Sequence, residues 1–345
     1  MIFFTSVLSI PILLSSDSKE WGSKCDIRIN SSSCIDPDGR GPLSIGDGQF
    51  NFPLSIAVDH SDNTIYVADA SNDRIQKFDN NGTFIIKWGS SCAIKQKMGC
   101  IDPDGEEGPL SVGDGQFNGP RGIAIDSDGH IYVTDFDNNR IQKFIIDEPC
   151  SEGYEIIHGG CFITKWGTTG SLNGQFRVPY DIAIDSHKFL YVTDVLNYRI
   201  QKFDSNGTFL SSWKLNGTAI GNKAPHGVGT DPIKDTIYVT TSDEIQKFDS
   251  NGTLLSSWKL NGTSDFGPTS LQGIAISPKE HVYVTNINDA RIQKFDSNGT
   301  FLSSWNLNGT SKIGNSGSSD IVLDTNNDIY ASDAKNNNVQ KFAVK

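Results

Sequence analysis

Short apolar runs recur along the chain in a fixed order, with polar residues separating them. The tetrad Ile-Gln-Lys-Phe begins at Ile75, Ile141, Ile200, Ile245 and Ile292, and Val339 opens a sixth copy. Before each tetrad lies a run such as Ile65-Tyr66-Val67, Ile131-Tyr132-Val133 or Val282-Tyr283-Val284. Before that lies another, such as Gly122-Ile123-Ala124-Ile125-Asp126 or Gly273-Ile274-Ala275-Ile276. After each of the first five tetrads a fourth run ends in Trp88, Trp166, Trp213, Trp258 or Trp305. Joints such as Asp128-Gly129 and Asn251-Gly252 suit tight hairpins. No long stretch keeps a 3.6-residue apolar period without Gly, Asn or Pro to break it, so almost no helix is expected.

Successive tetrads are 66, 59, 45, 47 and 47 residues apart, which reads as one unit with insertions in the first two copies. Four-stranded units at this period predict an all-β fold, a six-bladed β-propeller of four-stranded antiparallel blades. The sixth unit stops at Phe342-Ala343-Val344-Lys345 and lacks an outer strand. The segment Lys19-Glu20-Trp21-Gly22-Ser23 matches Lys87-Trp88-Gly89-Ser90 in register, so an N-terminal strand is expected to complete the last blade. Closing the ring in this way removes two exposed sheet edges.

The unit resembles the NHL repeat. The resemblance rests on Gly113-Asp114-Gly115-Gln116-Phe117, then Pro120-Arg121-Gly122-Ile123-Ala124-Ile125-Asp126, Ile131-Tyr132-Val133-Thr134-Asp135 and Asn139-Arg140-Ile141-Gln142-Lys143-Phe144. It implies the propeller fold and leaves function open, because propellers host unrelated activities.

Composition narrows the partners. The chain carries 29 Lys and Arg against 41 Asp and Glu, a net charge of −12, which disfavours generic nucleic-acid binding. Arg74, Arg140, Arg199 and Arg291 recur before the third strand, the kind of ring an RNA-binding face would use, but Glu244 and Asn338 break it. Residues 1–16 are apolar from Ile2 to Leu14, too short to span a bilayer, and read as a signal peptide or short anchor. Residues 17–345 then form a single propeller, expected to be secreted or on the cell surface, monomeric and without a transmembrane span. Six cysteines fall in three close pairs, Cys25–Cys34, Cys92–Cys100 and Cys150–Cys161, which suit disulfides across surface loops. The Asp36-Pro37-Asp38-Gly39 and Asp102-Pro103-Asp104-Gly105 loops read as disulfide-tied turns, since neither continues as a calcium-binding loop. Sequons stand at Asn30, Asn81, Asn206, Asn216, Asn251, Asn261, Asn298 and Asn308. Seven are Asn-Gly-Thr, so a hairpin turn explains them as readily as glycosylation does.

In a propeller the first strand of each blade lines the central channel. Two aligned rings of residues enter it: Leu54, Arg121, Tyr180, His226, Gln272 and Ser319, then Ser55, Gly122, Asp181, Gly227, Gly273 and Asp320. The first ring differs in every blade and the second departs from Gly in three. Asp181 and Asp320 face each other across the axis, and with Arg121, Tyr180, His226 and Gln272 they are the candidates for a binding site at one mouth. Of the six histidines only His226 reaches this ring; His60, His130, His187 and His281 belong to first hairpins and His158 to an insertion on the far side. A histidine-held zinc, as an amidating-lyase reading needs, is therefore not expected. A lactonase-like hydrolase would place a divalent cation on Asp181, Asp320 and either Asn286 or Asp333. The reading preferred is a non-catalytic scaffold for a protein, peptide or glycan, with no cofactor beyond such a cation. Its contact surface is expected to combine the channel ring with the Cys25–Cys34 and Cys92–Cys100 loops. The alternative is that metal-assisted hydrolase or an amidating-lyase-like enzyme at the channel.

Overall fold

The computed structural model describes residues 19–23, 46–90, 113–146, 150, 155–157, 160–215, 223–259, 271–286, 291–306 and 318–343. The leader, Cys25–Cys34, Cys92–Cys100, Ser319's side chain, His158 and the sequons at Asn30, Asn216, Asn261 and Asn308 lie outside the described residues.

Six antiparallel sheets follow one another as blades. Blade 1 comprises Pro53–Asp59, Thr64–Asp69, Arg74–Phe78 and Phe84–Trp88. Blade 2 comprises Pro120–Ile125, His130–Asp135, Arg140–Ile145 and Gly160–Trp166, with Glu155–Ile157 added as a fifth strand. Blade 3 comprises Pro179–Ile184, Leu190–Asp194, Arg199–Phe203 and Phe209–Lys214. Blade 4 comprises Val228–Thr230, Ile237–Thr240, Glu244–Phe248 and Leu254–Lys259. Blade 5 comprises Leu271–Ile276, Val282–Asn286, Arg291–Phe295 and Phe301–Asn306. Blade 6 comprises Ser318–Leu323, Ile329–Asp333 and Asn338–Phe342, and its outer strand is the N-terminal Lys19–Trp21. Lys19, Glu20 and Trp21 pair with Lys341, Gln340 and Val339, the closure that the matching N-terminal segment predicts.

The core lies between blades. Trp88 of blade 1 packs edge-on against Tyr66 of its own blade and against Phe144 of blade 2, with 1% of its surface exposed. Trp21 does the same for closure, touching Tyr330 of blade 6 and Phe78 of blade 1. Burying one such aromatic stabilises the ring by about 2–3 kcal/mol, so each tryptophan acts as a wedge holding adjacent blades in register.

The repeated polar residues have structural partners. Arg74 Nε donates to Asp69 Oδ2 at 2.7 Å, and Arg74 Nη2 donates to the carbonyls of Gly46 and Gln49. Gln76 Nε2 bonds the Gln49 carbonyl at 2.7 Å while its Oε1 accepts the Gly48 N–H at 3.0 Å. The Gly-Asp-Gly-Gln-Phe segment is thereby clamped onto its own blade, and Phe50 fills the space beside Phe78. Blade 2 repeats the clamp with Asp135, Arg140 and Gln142, and blade 3 with Asp194, Arg199 and Gln201. Arg74, Arg140 and Arg199 are thus buried structural cations and not the exposed RNA-facing ring that their recurrence allows.

The hairpins also differ from expectation. At Asp79–Thr83 the Asp79 carboxylate accepts the N–H groups of Asn81 and Thr83, and the Gly82 N–H bonds the Asp79 carbonyl. Gly82 alone of the pair Asn81-Gly82 has a positive φ, +87°. The aspartate closes the turn, whereas the usual Asn-Gly hairpin would need both residues left-handed. A Cβ on Gly82 would also lie 2.7 Å from the Trp21 ring, so two demands select glycine there.

Candidate functional site at the channel mouth

The first strand of each blade begins at the mouth, so residues early in those strands converge there from different parts of the sequence. Arg121 of blade 2 lies over the Tyr180 ring of blade 3, its guanidinium 3.4 Å from the ring centroid, and 5.1 Å from that of Phe136. Arg121 Nη2 also donates to the Tyr180 hydroxyl, which donates onward to Gln272 Oε1 of blade 5. His226 of blade 4 packs its ring 5.6 Å from Tyr180. Four of the six candidate side chains therefore make one cluster across the mouth. The cavity beneath has an empty volume of about 240 Å³ counting space open to solvent, lined by Leu54, Ser55, Arg121, Tyr180, Asp181, Gln272 and Asp320 with two glycines. Its enclosed part has room for about one water.

Asp181 and Asp320 sit below that cluster. Asp181 Oδ2 accepts the N–H of Val228 in the next blade at 2.8 Å, and Oδ1 accepts that of Ile182 at 2.9 Å. Asp320 Oδ2 accepts the Ser55 hydroxyl at 2.7 Å and the Ile56 N–H at 3.2 Å, both across the closure between blades 6 and 1. Its Oδ1 accepts the Ile321 N–H at 2.8 Å. Ser55 Oγ in turn accepts the Ile123 N–H of blade 2 at 3.3 Å. Ser55, Asp181 and Asp320, the three departures from glycine in the second ring, thus supply acceptors for inner-strand N–H groups that adjacent blades cannot pair. The glycines have the complementary reason. A Cβ on Gly122 would fall 2.7 Å from Asp181 Cα, and one on Gly273 would fall 2.5 Å from Asp320 Cα.

Both carboxyls are displaced upward in pKa. Burial raises Asp181 well above the usual range, and the nearby charge of Asp320 adds to it. Burial also raises Asp320, to about 6, against the pull of the Ser55, Ile321 and Ile56 hydrogen bonds. The positive charge of Arg121 pulls both carboxyls the other way, against the burial.

A divalent cation would have to find its ligands in this pair. Asp333, suggested by sequence as a further ligand, instead accepts the N–H and side-chain amide of Asn336 in the blade 6 equivalent of the arginine clamp. Asn286 holds the corresponding place in blade 5, paired in register with Arg291, and neither residue lines the cavity. Among the described residues, the groups of three metal-type side chains are Asp126–Asp128–His130 and Asp185–His187–Asp235, both in first hairpins on the far face. The Cys150–Cys161 pair does form a disulfide, within the blade 2 insertion.

Sequence reasoning missed one feature of the mouth. Phe52 and Val178, each just before a strand-opening proline, have φ of +61° and +68°, and Gly119 has the same conformation in blade 2. A bulky or β-branched residue in the left-handed region is strained. Phe52 is nonetheless 48% exposed, and Leu172 and Leu196 in blade 3's mouth loops are 70% and 47% exposed. The Pro that follows gives no sequence signal for this conformation, since residues before proline usually extend.

Comparison with known proteins agrees with this architecture. The profile described as NHL repeat matches residues 50–78 and 117–144. Peptidylglycine alpha-amidating monooxygenase of Rattus norvegicus is 30% identical over 146 residues, covering 40% of this chain and 14% of that protein. NHL repeat-containing protein 3 of Homo sapiens is 29% identical over 138 residues, covering 38% of this chain and 35% of its own. The matches thus span well under two thirds of either relative. The virginiamycin B lyase structure from Staphylococcus aureus superposes with a TM-score of 0.55 at 13% identity, over 86% of this chain and 96% of that one, a likeness of fold. The chain is a six-bladed β-propeller carrying NHL repeats.

Proposed function

We propose that the propeller is a non-catalytic binding scaffold that works outside the cell and takes a protein, peptide or glycan on its mouth face. The observation that carries this reading is the closed mouth: Arg121, Tyr180 and Gln272 bridge blades 2, 3 and 5 above a space for about one water. A small-molecule enzyme site ordinarily needs about 300–1,000 Å³. The aspartates below are engaged by backbone N–H groups of adjacent blades. Around the closed channel, the rim instead offers exposed Phe52, Leu172 and Leu196, and strain at Phe52 is a feature that stability alone would remove. Loops on a rigid ring are a usual place for recognition. The apolar segment at residues 2–14 and the cysteine usage support export.

One observation favours a second reading, a channel enzyme of the lyase or metal-assisted hydrolase kind. Asp181 and Asp320 are two buried acids with raised pKa on opposite sides of a channel, and one relative and one fold neighbour bear enzyme names. A single experiment separates the two. The secreted protein is dialysed against a mild chelator, assayed for retained metal, and applied to arrays of extracellular proteins and glycans beside Phe52→Ser. Binding that Phe52→Ser abolishes without lowering the melting temperature supports the scaffold. One retained divalent ion per chain, lost in Asp181→Asn, with no array binding, supports the enzyme.

A further inference from the structure

Seven hairpins of the described structure close in one way. An aspartate donates its own N–H to the carbonyl of the fifth residue, accepts the N–H groups of the third and fifth on Oδ1, and accepts the fourth N–H on its carbonyl. Three of these turns join first and second strands, beginning at Asp126, Asp185 and Asp324. Four join third and fourth strands, beginning at Asp79, Asp204, Asp249 and Asp296. The fourth residue is left-handed in all seven, whether Gly129, Lys188 and Asn327 or Gly82, Gly207, Gly252 and Gly299.

Side-chain usage divides the two sets sharply. In the first-hairpin turns the third residue is Asp128, His187 or Asn326 and the fifth is His130, Phe189 or Asp328, so this backbone geometry selects neither Asn nor Thr. In the third-to-fourth turns the pair is Asn and Thr every time: Asn81 with Thr83, Asn206 with Thr208, Asn251 with Thr253, Asn298 with Thr300. Each of these eight residues is exposed. Among the described residues no hydrogen bond reaches the side chains of Asn206, Asn251 or Asn298, and Asn81 Oδ1 receives only a long 3.5 Å contact from exposed Lys19. The threonine hydroxyls do reach their turn aspartates. Phe189 closes the same turn with an apolar ring that cannot make that contact, so it is not a condition of the geometry. Glycine has its own reason, since a Cβ at Gly207, Gly252 or Gly299 would lie 2.5 Å from Trp166, Trp213 or Trp258 of the preceding blade. Folding thus accounts for the Asp and the Gly and leaves the exposed asparagine unexplained.

We infer that Asn81, Asn206, Asn251 and Asn298 are N-glycosylated, one per blade in blades 1, 3, 4 and 5. The pattern Asn-x-Thr is the acceptor signal for this chemistry on exposed turns of exported chains. Asparagine Nδ2 loses a proton and bonds the anomeric carbon of a lipid-pyrophosphate-linked oligosaccharide, and the lipid pyrophosphate leaves. Blade 2 replaces this turn by its disulfide-bonded insertion, and blade 6 has none because its outer strand comes from the other end of the chain. The four glycans ring the far face, opposite the mouth. This rests on the export in the proposed function and deepens it: sugars cover one face, and the mouth face is left for the partner.

The test is site mapping on full chain secreted by cells that perform N-glycosylation, by peptide-N-glycosidase digestion in heavy-oxygen water. Heavy-oxygen aspartate is expected at all four positions, and each Asn→Gln variant should lose one glycan step on a gel. Asn251→Asp recreates the Asp126–His130 turn, so it should lose its glycan with an unchanged melting temperature. A second arm fuses residues 17–345 to an independent secretion leader. Secreted fusion with unmodified asparagine at the four turns overturns the site assignment itself. Glycosylated fusion with a native chain retained unmodified in the cytosol overturns the export step, and with it the proposal for the native protein.

Discussion

Blades 3 and 4 are neighbours whose outer halves match and whose mouth ends do not. Their outer strands Phe209–Lys214 and Leu254–Lys259 alternate half-buried and exposed residues in the same order, and both carry the same Asp-closed turn. At the mouth, blade 3 has the buried Asp194–Arg199 pair, with Nε and Oδ2 2.8 Å apart. Blade 4 reverses the charge with Glu244, and Lys223, from the connection entering the blade, supplies the cation at 2.9 Å. The first strand follows suit, six residues in blade 3 and three in blade 4. The third-to-fourth turns of blades 1, 3, 4 and 5 meet the tryptophan of the preceding blade in the same way, so one solution serves all four. At the mouth, the residue entering the channel differs in every blade, and individual residues are free to specialise.

The largest break in this comparison is expected from Arg199→Ala. It leaves Asp194 buried with its charge uncompensated, which costs about 3–5 kcal/mol. Lys223→Ala removes a half-exposed pair member and should cost at most about 1 kcal/mol. Urea unfolding of the two variants measures the difference. Equal losses would mean that the two blades are held at the mouth by the same means.

The raised acids provide the next test. A carboxyl whose folded pKa exceeds its unfolded value near 3.8 binds more protons folded than unfolded. Its contribution is therefore fully present below that value and is lost as pH rises through the folded pKa. With Asp320 at about 6, the wild type should lose about 2 kcal/mol relative to Asp320→Asn between pH 4.5 and pH 7.5. The amide keeps an oxygen for the Ile56 N–H. Denaturant midpoints of both proteins across that window check the sign. A wild-type advantage that grows with pH would show Asp320 to be a stabilising anion and defeat the argument.

Much of the fold was legible because the repeat states each demand six times. The Lys-Trp-Gly-Ser match fixed the closing strand, and the recurring tryptophans marked the ends of the fourth strands, though not the inter-blade contacts they make. Single-letter recurrence misled where it showed presence without partner. Arg74, Arg140 and Arg199 recur because each satisfies a buried aspartate one hairpin away, a contact invisible in spacing. Arg121, Tyr180, His226 and Gln272 share one place in the repeat, which shows that they enter the channel and nothing more. Their mutual contacts join blades 2, 3, 4 and 5, and no local rule reports which side chains meet across a ring. The Asp181 and Asp320 acceptors were equally hidden, since each reaches an N–H group of the following blade, Val228 or Ile56.

Tyr180→Phe sharpens the comparison at the mouth itself. It deletes the hydroxyl that joins Arg121 to Gln272 while keeping the ring under the guanidinium, so about 1 kcal/mol of stability should be lost. His226→Ala in blade 4 removes a ring contact and should cost less. If partner binding uses this cluster, Tyr180→Phe weakens it more than His226→Ala at matched stability. Titration calorimetry with whatever partner the arrays return gives the ranking. The reverse order would move the contact surface toward blade 4.

The smallest effect tests the matched halves. Lys202 donates to the Ser250 carbonyl of the next blade at 3.0 Å, and Lys247 donates to that of Ser297 at 3.4 Å. Each ammonium also lies over a tyrosine of its own blade, Tyr191 at 5.2 Å and Tyr238 at 5.0 Å. Lys202 has one further aromatic partner, Phe189 at 4.2 Å, where blade 4 has no equivalent ring in contact among the described residues. Replacement by Met keeps the aliphatic stem and removes only the charge and the donor. Both variants should therefore lose less than about 1 kcal/mol, with Lys202→Met the costlier by a few tenths from its extra cation–π contact. Thermal melts of the pair resolve that ordering. A large gap would mean that the outer halves of blades 3 and 4 share a sequence pattern without sharing the contacts that it makes.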